Sequence, residues 1–270
     1  MSVTWTSDSP PPVEPITFRG WLRILRRGVP FGIVVGLGLI LTLILRLIEA
    51  PLFGQRRPIT PYITRAVCMA VFPIIGMGFR MHGQPAKGRV AVVANHASWL
   101  DIFALNARQR IYFVSKSEVA AWPGIGWLAR ATGTVFISRD RKDAKRQSEI
   151  FSWRLSHGHR LLFFPEGTST DSLRVLPFKT TLFQPFFAHD LRAILKVQPV
   201  SVHYFAPSGK DARFYGWWGD MDFGSHLLQV LAAPRQGRVE VTYHPAVSVK
   251  DFDDRKALAR HCEETVRRAF

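Results

Sequence analysis

The stretch VVANHASWLD (92–101) places an imidazole and a carboxylate at the end of an apolar run. A histidine that titrates near neutral pH can take a proton from an alcohol, and an aspartate can hold that imidazole in one tautomer. His96 and Asp101 could therefore activate a hydroxyl for attack. From these ten residues alone, a capped turn is the alternative, because Asn95 and Ser98 are good helix-capping residues.

Three other stretches place polar residues or a proline at the end of, or within, an apolar run. They contain Arg139, the sequence Glu166-Gly167-Thr168, and Pro199. Taken singly, Arg139 suits a solvated cation and the PEGT sequence suits an ordinary turn. Ligands of α/β proteins bind where strands end and loops begin, so the four stretches together could line one cleft.

The elements that must position these residues are short apolar runs that alternate with helical patterns from Arg80 onward. The predicted strands cover residues 90–94, 111–114, 134–137, 161–164, 197–204 and 238–243. The predicted helices cover residues 102–107, 126–131, 141–156, 180–189 and 255–269. This alternation predicts an α/β fold with a largely parallel sheet flanked by helices.

An uncharged segment, GVPFGIVVGLGLILTLIL (28–45), precedes that region. It reaches the lower end of the length needed to span a bilayer, and only Thr42 interrupts its apolar character. A second apolar stretch at residues 66–79 is shorter and contains Pro73, which is typical of a helix that lies in the interface or packs on the first. We therefore expect an N-terminal membrane-anchoring helical segment, with the lipid bilayer as a partner.

These patterns divide the chain into three parts. Residues 1–27 form a flexible leader with a basic flank, residues 28–79 form membrane-anchoring or interfacial helices, and residues 80–270 form the α/β domain. Arginines lie on both sides of the apolar segment, so the positive-inside rule gives no orientation.

The composition favours anionic partners. Lys and Arg outnumber Asp and Glu by 36 to 20, which gives a formal charge of +16. Such an excess suits an acidic membrane surface, an acidic carrier protein or nucleic acid. Nucleic acid is not expected, because no recognition motif is present and the aromatic residues do not interleave with basic ones. Cys68 and Cys262 lie far apart outside any metal-ligand pattern, which predicts neither a disulfide nor a metal site and favours a reducing compartment.

The four stretches, taken in order, resemble the four sequence blocks of the glycerophospholipid acyltransferase superfamily, which includes the 1-acyl-glycerol-3-phosphate acyltransferases. The resemblance covers roughly residues 80–205. It implies transfer of an acyl chain from a thioester, on acyl carrier protein or coenzyme A, to a lysolipid hydroxyl, with no cofactor. It also assigns Arg139, Glu166, Gly167 and Thr168 to acceptor binding.

The residues themselves suggest how such a transfer would proceed. His96 is the predicted general base and Asp101 the residue that orients it. Direct attack by the acceptor is expected, because no GxSxG serine is present. Backbone N–H groups around Gly167 or near a helix start could stabilise the oxyanion. The expected thioester donor and the free cysteines predict a catalytic domain on the cytoplasmic side of the inner membrane.

The sequence departs from the lysophosphatidate acyltransferases at one position that bears on the acceptor. Many lysophosphatidate acyltransferases read PEGTR, whereas Ser169 follows Thr168 here, which removes a strong anion donor. The loop resembles that of the lyso-ornithine-lipid O-acyltransferases, whose acceptor carries no phosphate, and Asp171 would suit a cationic amine.

Further stretches share this second resemblance: VLPFKTTLF (175–183), WWGDMDFGSHLL (217–228) and the tail at 244–261. Lyso-ornithine lipid is therefore the predicted acceptor, with lysophosphatidate as the alternative. A membrane-tethered basic binding protein without chemistry is a further alternative. The presence of both His96 and Asp101 disfavours an inactive acyltransferase-like scaffold, whereas a hydrolase that uses the same base stays an alternative.

Overall fold

Short apolar runs of Val, Leu and Phe form the strands of a single sheet in the computed structural model, which describes residues 5–6, 11–122, 124–138, 142 and 144–270. The strands are β1 (Gly78–Gly83), β2 (Val90–Ala94), β3 (Tyr112–Lys116), β4 (Val135–Ile137), β5 (Leu161–Phe163), β6 (Lys196–Phe205), β7 (Arg238–Tyr243) and β8 (Val247–Ser248). The α-helices are α1 (Phe18–Phe53), α2 (Thr60–Ile75), α3 (Asp101–Asn106), α4 (Ile125–Thr132), α5 (Ala144–Ser156), α6 (His189–Arg192), α7 (Phe223–Ala232) and α8 (Arg255–Arg267).

The sheet has the order β1-β7-β6-β2-β5-β3-β4, with β8 paired to the start of β6. The pairs among β6, β2, β5, β3 and β4 are parallel, whereas β7 is antiparallel to β6. All five residues of β2 are buried, as expected for a parallel strand covered by helices on both faces. The predicted α/β fold with a largely parallel sheet is confirmed.

Two apolar layers cover the sheet. One face packs against α1, α2, α3 and α7, and the other packs against α5, α6 and α8. Cys68 is buried in the first layer and Cys262 in the second, and both are free thiols.

Several predicted elements differ in detail. Residues 180–187 form a 3-10 helix rather than an α-helix, because Pro185 inside the segment has no N–H to donate. The helix predicted from residue 141 is observed from Ala144 onward. Strand β1 and helix α7 were not predicted. The sequence GFRMHG of β1 is polar at alternate positions because this strand lies at the edge of the sheet.

The apolar segment at residues 28–45 lies inside a much longer helix. Helix α1 has 36 residues, so it is about 54 Å long. It begins at Phe18, after the side chain of Thr17 accepts a hydrogen bond from Gly20 N at 3.2 Å, so the basic flank is helical. Helix α1 is long and apolar enough to cross a membrane, and its large apolar side chains are mostly exposed.

Helix α2 packs directly on α1. A Cβ atom at Gly38 of α1 would overlap the side chain of Val67, so glycine permits this close approach. At the other end of the pair, Glu49 accepts hydrogen bonds from Ile59 N at 2.7 Å and from Thr60 N at 3.2 Å. The buried carboxylate therefore caps the start of α2.

Arginines fasten α1 to the α/β domain. Arg27 donates to the carbonyl oxygens of Leu231 at 2.9 Å and Ala233 at 2.6 Å, and Arg23 donates to that of Ala232 at 3.1 Å. These carbonyls end α7, where a cation is favoured by the helix dipole. Helix α1 therefore lies alongside the domain rather than projecting away from it.

Asn95 extends the pairing of the two central strands beyond the end of β2. Its fully buried side chain accepts from Val202 N at 2.8 Å and donates to Val202 O at 2.9 Å. The amide thus takes the place of the next strand residue opposite β6 and fixes where the chain turns toward His96.

We expect Asn95→Ala to lower the free energy of unfolding by about 2–4 kcal/mol, because both backbone groups of Val202 lose their partner inside the core. Chemical unfolding in detergent measures this. Gln84→Ala, at an exposed amide, is the matched control and should change the value by less than about 0.5 kcal/mol. An unchanged midpoint for Asn95→Ala would contradict the interpretation.

Candidate active site

Asp101 closes the turn that follows β2. It is the first residue of α3, and its Oδ2 accepts hydrogen bonds from Ala97 N at 2.8 Å and Ser98 N at 3.1 Å. The side chain is completely buried. Asp101 therefore closes this turn and also contacts His96, whereas α3 itself begins without a side-chain cap.

The imidazole of His96 lies against this carboxylate. His96 Nδ1 is 2.7 Å from Asp101 Oδ2. Because Oδ2 also accepts from two backbone N–H groups, it acts as an acceptor, so the proton of this bond belongs to Nδ1. That tautomer leaves a lone pair on Nε2. The His96 side chain is 22% exposed whereas Asp101 is inaccessible, so the basic nitrogen is the part of the pair that a substrate can reach.

Phe164 holds the plane of the imidazole. The two rings are nearly parallel, 14° apart, with centroids separated by 4.1 Å, and Phe113 stacks behind Phe164 at 5.8 Å. The stacking restricts rotation of the His96 ring and gives the site an apolar wall. The sequence alone does not reveal this role, because it depends on β5 lying beside β2.

Tyr204 was also missed. Its hydroxyl donates to Asp101 Oδ1 at 2.7 Å from within β6, and its side chain is fully buried. Burial, followed by the Asp101 charge, raises the pKa of Tyr204 well above its ordinary value, so the hydroxyl keeps its proton. The only signal in the sequence was general: a tyrosine inside a buried strand needs a partner for its O–H group.

Glu166 binds backbone groups rather than facing outward. Its Oε1 accepts from His96 N at 2.6 Å and its Oε2 accepts from Leu176 N at 2.7 Å. The side chain is only 2% exposed, and burial raises the pKa of Glu166 to about 8 even though both hydrogen bonds oppose that shift. Its contacts join the His96 turn to the loop that follows β5, so Glu166 orders this loop.

Gly167 and Thr168 form the turn next to Glu166. Gly167 has φ +72°, and its N–H donates to Phe164 O at 3.0 Å. The Gly167 amide itself is therefore already occupied. The side chain of Lys179 fills the space where a Cβ at Gly167 would lie. The turn thus places a lysine beside the half-buried Thr168, a cation that the sequence analysis did not single out.

The sequence suggested that Asp171 would suit a cationic headgroup. In the structure, its carboxylate is not available to such a group. It is fully buried, its Oδ1 accepts from Leu173 N at 3.2 Å, and its Oδ2 lies 2.8 Å from Arg174 Nη2. Its charge is thus paired within the loop. Ser169, at the position of the arginine in PEGTR, is buried beside it.

The remaining predicted residues are less informative. Arg139 lies outside the described residues, although Ile137 ends β4 at the same edge of the sheet as His96. Pro199 pairs with Val93 inside the sheet and has a structural role. Among the described residues, no group of His, Cys, Asp and Glu is arranged to hold a metal ion.

Comparison with known proteins shows which family this chain belongs to. The sequence profile of the Acyltransferase family matches residues 79–203. The chain is 56% identical over 263 residues to lyso-ornithine lipid O-acyltransferase of Rhodobacter capsulatus, covering 97% of this chain and 95% of that one. The chain belongs to the acyltransferase family. The predicted enzyme class, a lysolipid acyltransferase, is thereby confirmed.

Two further matches agree with this family. A 1-acyl-sn-glycerol-3-phosphate acyltransferase of Neisseria gonorrhoeae is 33% identical over 189 residues, covering 68% of this chain and 72% of that one. The crystal structure of the acyltransferase PlsC from Thermotoga maritima superposes with a TM-score of 0.62 at 21% identity, covering 93% of this chain and 95% of that one. The second match shows a shared fold.

Tyr204→Phe should lower kcat roughly tenfold, which corresponds to about 1.4 kcal/mol in the barrier. Without the hydroxyl, Asp101 Oδ1 loses its donor and more negative charge acts on the His96 imidazolium. The acidic limb of the pH–rate profile should therefore move to higher pH, with KM for the acceptor unchanged. Tyr215→Phe, which removes a neighbouring hydroxyl bonded to Gln236, is the control. A wild-type pH profile in Tyr204→Phe would show that the contact is only structural.

Glu166 predicts a pH dependence of stability. The folded protein keeps this proton to about pH 8, whereas the ordinary pKa is 4.5. Between these values the folded state binds more protons than the unfolded state, so stability falls as pH rises.

Glu166→Gln does not titrate, so it isolates this effect. The unfolding free energy of the wild type relative to Glu166→Gln should decrease between pH 5 and pH 8 by at most about 1.4 kcal/mol per pH unit. Denaturant titrations at several pH values measure it, with Glu264→Gln, at an exposed carboxyl, as control. A difference that stays constant from pH 5 to pH 8 would mean that the two N–H donors keep Glu166 ionised.

Proposed function

We propose that this enzyme transfers an acyl chain from acyl carrier protein to the hydroxyl of lyso-ornithine lipid. The observation that carries the proposal is the 56% identity, over nearly the whole chain, to a lyso-ornithine lipid O-acyltransferase. A relative with the same name in Pseudomonas aeruginosa is 34% identical and covers 92% of this chain and 94% of that one.

In the proposed mechanism, His96 Nε2 accepts the proton of the lysolipid hydroxyl as its oxygen attacks the thioester carbonyl. Asp101 keeps Nδ1 protonated and stabilises the imidazolium that forms. The tetrahedral intermediate then collapses, its C–S bond breaks, and the imidazolium returns the proton to the thiolate leaving group. The 2.7 Å contact between the two side chains and the exposure of the His96 ring support these roles.

The loop after β5 favours an acceptor without phosphate. An uncharged, buried Ser169 stands where many lysophosphatidate enzymes carry an arginine. Lys179, beside Gly167, is a single exposed ammonium group and suits the one carboxylate of ornithine. Thr168 and Arg139 remain the other proposed acceptor contacts, whereas Glu166 is proposed to position the loop.

The proposed location is the cytoplasmic side of the inner membrane, with residues 28–79 as the anchor, residues 80–270 as the catalytic domain and residues 1–27 as leader and flank. Arg27 near one end of α1, and Arg57 in the turn after its other end, both bind backbone carbonyls of the α/β domain. These contacts hold α1 against the α/β domain. They favour a helix that enters the membrane beside the domain over one that crosses the bilayer perpendicular to its plane.

Acyl transfer by the purified protein tests the acceptor. Given labelled acyl carrier protein with lyso-ornithine lipid and, in parallel, lysophosphatidate, the enzyme should acylate the ornithine acceptor at least tenfold faster. Equal rates would mean a tolerant headgroup site, and product from lysophosphatidate alone would refute the acceptor assignment. Replacing the carrier protein by coenzyme A as donor tests the donor separately.

His96→Ala should abolish transfer, because no other described group replaces the base at this position. The loss should exceed about 10³-fold, a magnitude typical of a removed general base that acts within a catalytic pair. His157→Ala, at an exposed imidazole, is the control, and both variants should remain folded. Normal turnover by His96→Ala would overturn the mechanism.

A further inference from the structure

Six arginines near the α1–α2 turn form a basic surface that the proposed chemistry does not use. We name them the arginine belt: Arg57, Arg65, Arg108, Arg110, Arg154 and Arg160. In the described part of the chain, none of the six is in an ion pair with a carboxylate. Such uncompensated charge requires a physical explanation, because buried or half-buried cations are normally paired.

The inner part of the belt surrounds Tyr112. Arg57 donates to Ala131 O, and Arg154 donates to Gly133 O at 2.9 Å with its guanidinium 4.4 Å from the Tyr112 ring centre. Arg154 is 5% exposed, and its Nε atom is buried without a hydrogen-bond partner. Burial lowers the pKa of Arg154 to about 10, so it stays charged at neutral pH.

The outer part of the belt is accessible. Arg110 lies over the ring of Tyr62 at 4.5 Å, and Arg108 lies 5.7 Å from the ring centre of Phe79. Both arginines are exposed. Arg65 Nε, buried in the same region, also lacks a hydrogen-bond partner. The belt therefore presents accessible guanidinium groups, which suit an anion with several oxygen atoms.

Arg110 and Arg160 of the belt, which precede β3 and β5, lie at the opposite edge of the sheet from His96. Arg160 immediately precedes β5, and its carbonyl accepts from the N–H of Tyr112, the first residue of β3. Glu166 lies just beyond the other end of β5. Five residues separate Arg160 from Glu166, a span of about 20 Å in an extended chain. The belt is therefore not part of the acceptor site.

Exposed apolar side chains adjoin the belt. At the end of α1 and the start of α2, Leu52 is 68% exposed, Ile59 is 50% exposed and Tyr62 is 52% exposed. Tyr62 belongs to both surfaces, because Arg110 covers its ring. Guanidinium groups next to aromatic and aliphatic side chains are typical of the level at which lipid phosphates meet acyl chains.

We propose that the arginine belt binds the phosphate groups of anionic phospholipids and holds the amino edge of the sheet against the membrane. This inference rests on the proposed membrane location of the enzyme but not on its acceptor. An acidic protein such as the acyl donor's carrier would also be attracted by the charge. The adjoining apolar surface and the distance from His96 favour lipid.

Arg108→Gln/Arg110→Gln tests the proposal, because both side chains are exposed and their loss should not impair folding. The matched control is Arg260→Gln/Arg268→Gln, which removes the same charge from exposed positions in and just after α8, on the other face of the sheet. Binding of the full-length proteins is measured by flotation with phosphatidylcholine vesicles and with equal mixtures of phosphatidylcholine and phosphatidylglycerol.

The belt variant should bind the anionic vesicles about tenfold or more weakly than the control variant, with equal binding to neutral vesicles. Equal binding of the two variants to anionic vesicles would overturn the proposal. The proposal would also be overturned if glycerol 3-phosphate, but not sodium chloride at equal ionic strength, released the wild type from the vesicles. That result would indicate a site for soluble phosphate.

Acyl-transfer assays of the belt variant and the wild type distinguish lipid binding from protein docking. In neutral detergent with coenzyme A thioester, the belt variant should acylate lyso-ornithine lipid at the wild-type rate. A loss seen only with acyl carrier protein as donor, with vesicle binding unchanged, would make the belt a protein-docking surface and refute the lipid assignment. If even the wild type transferred nothing to lyso-ornithine lipid, the proposed function would fail while the vesicle comparison would still decide the role of the belt.

Discussion

The structure of the site depends on one buried carboxylate. Asp101 is inaccessible to solvent, and an unpaired charge there would cost several kcal/mol. Four donors satisfy it: two backbone N–H groups of its own turn, the His96 imidazole and the Tyr204 hydroxyl. Three of these are local, whereas the fourth exists only because β6 lies beside β2. The order of the sheet and the geometry of the proposed base are therefore fixed by the same interaction.

A second buried carboxyl lies on the other side of His96 in a different environment. Glu166 has two backbone donors rather than four, so burial dominates and raises its pKa to about 8, with the nearby Asp101 contributing in the same direction. At neutral pH Glu166 is therefore mostly neutral. His96 is held between the Asp101 carboxylate, which contacts its imidazole, and the Glu166 carboxyl, which accepts from its backbone N–H.

The sequence predicted what depends on local spacing and could not predict what depends on register. The α/β alternation and the pair His96–Asp101 involve neighbours within a few residues, so both could be recognised. Tyr204 and Phe164 reach the site through strand pairing, which a single sequence does not reveal. Asp171 was interpreted wrongly because a carboxylate in a loop can bind a ligand or a neighbour, and here Arg174, three residues away, occupies it. Arg139 stays a prediction.

The apolar surface of the protein continues from α1 toward the proposed base. Ile102, the residue after Asp101, is 42% exposed, and Trp127 of α4 is exposed in the same layer as α1 and α2. A lysolipid whose chain stays among such side chains can bring its hydroxyl to His96 without leaving an apolar environment. Water has no comparable attraction to this surface, so the layer proposed to anchor the enzyme would also favour an alcohol over water as the attacking group.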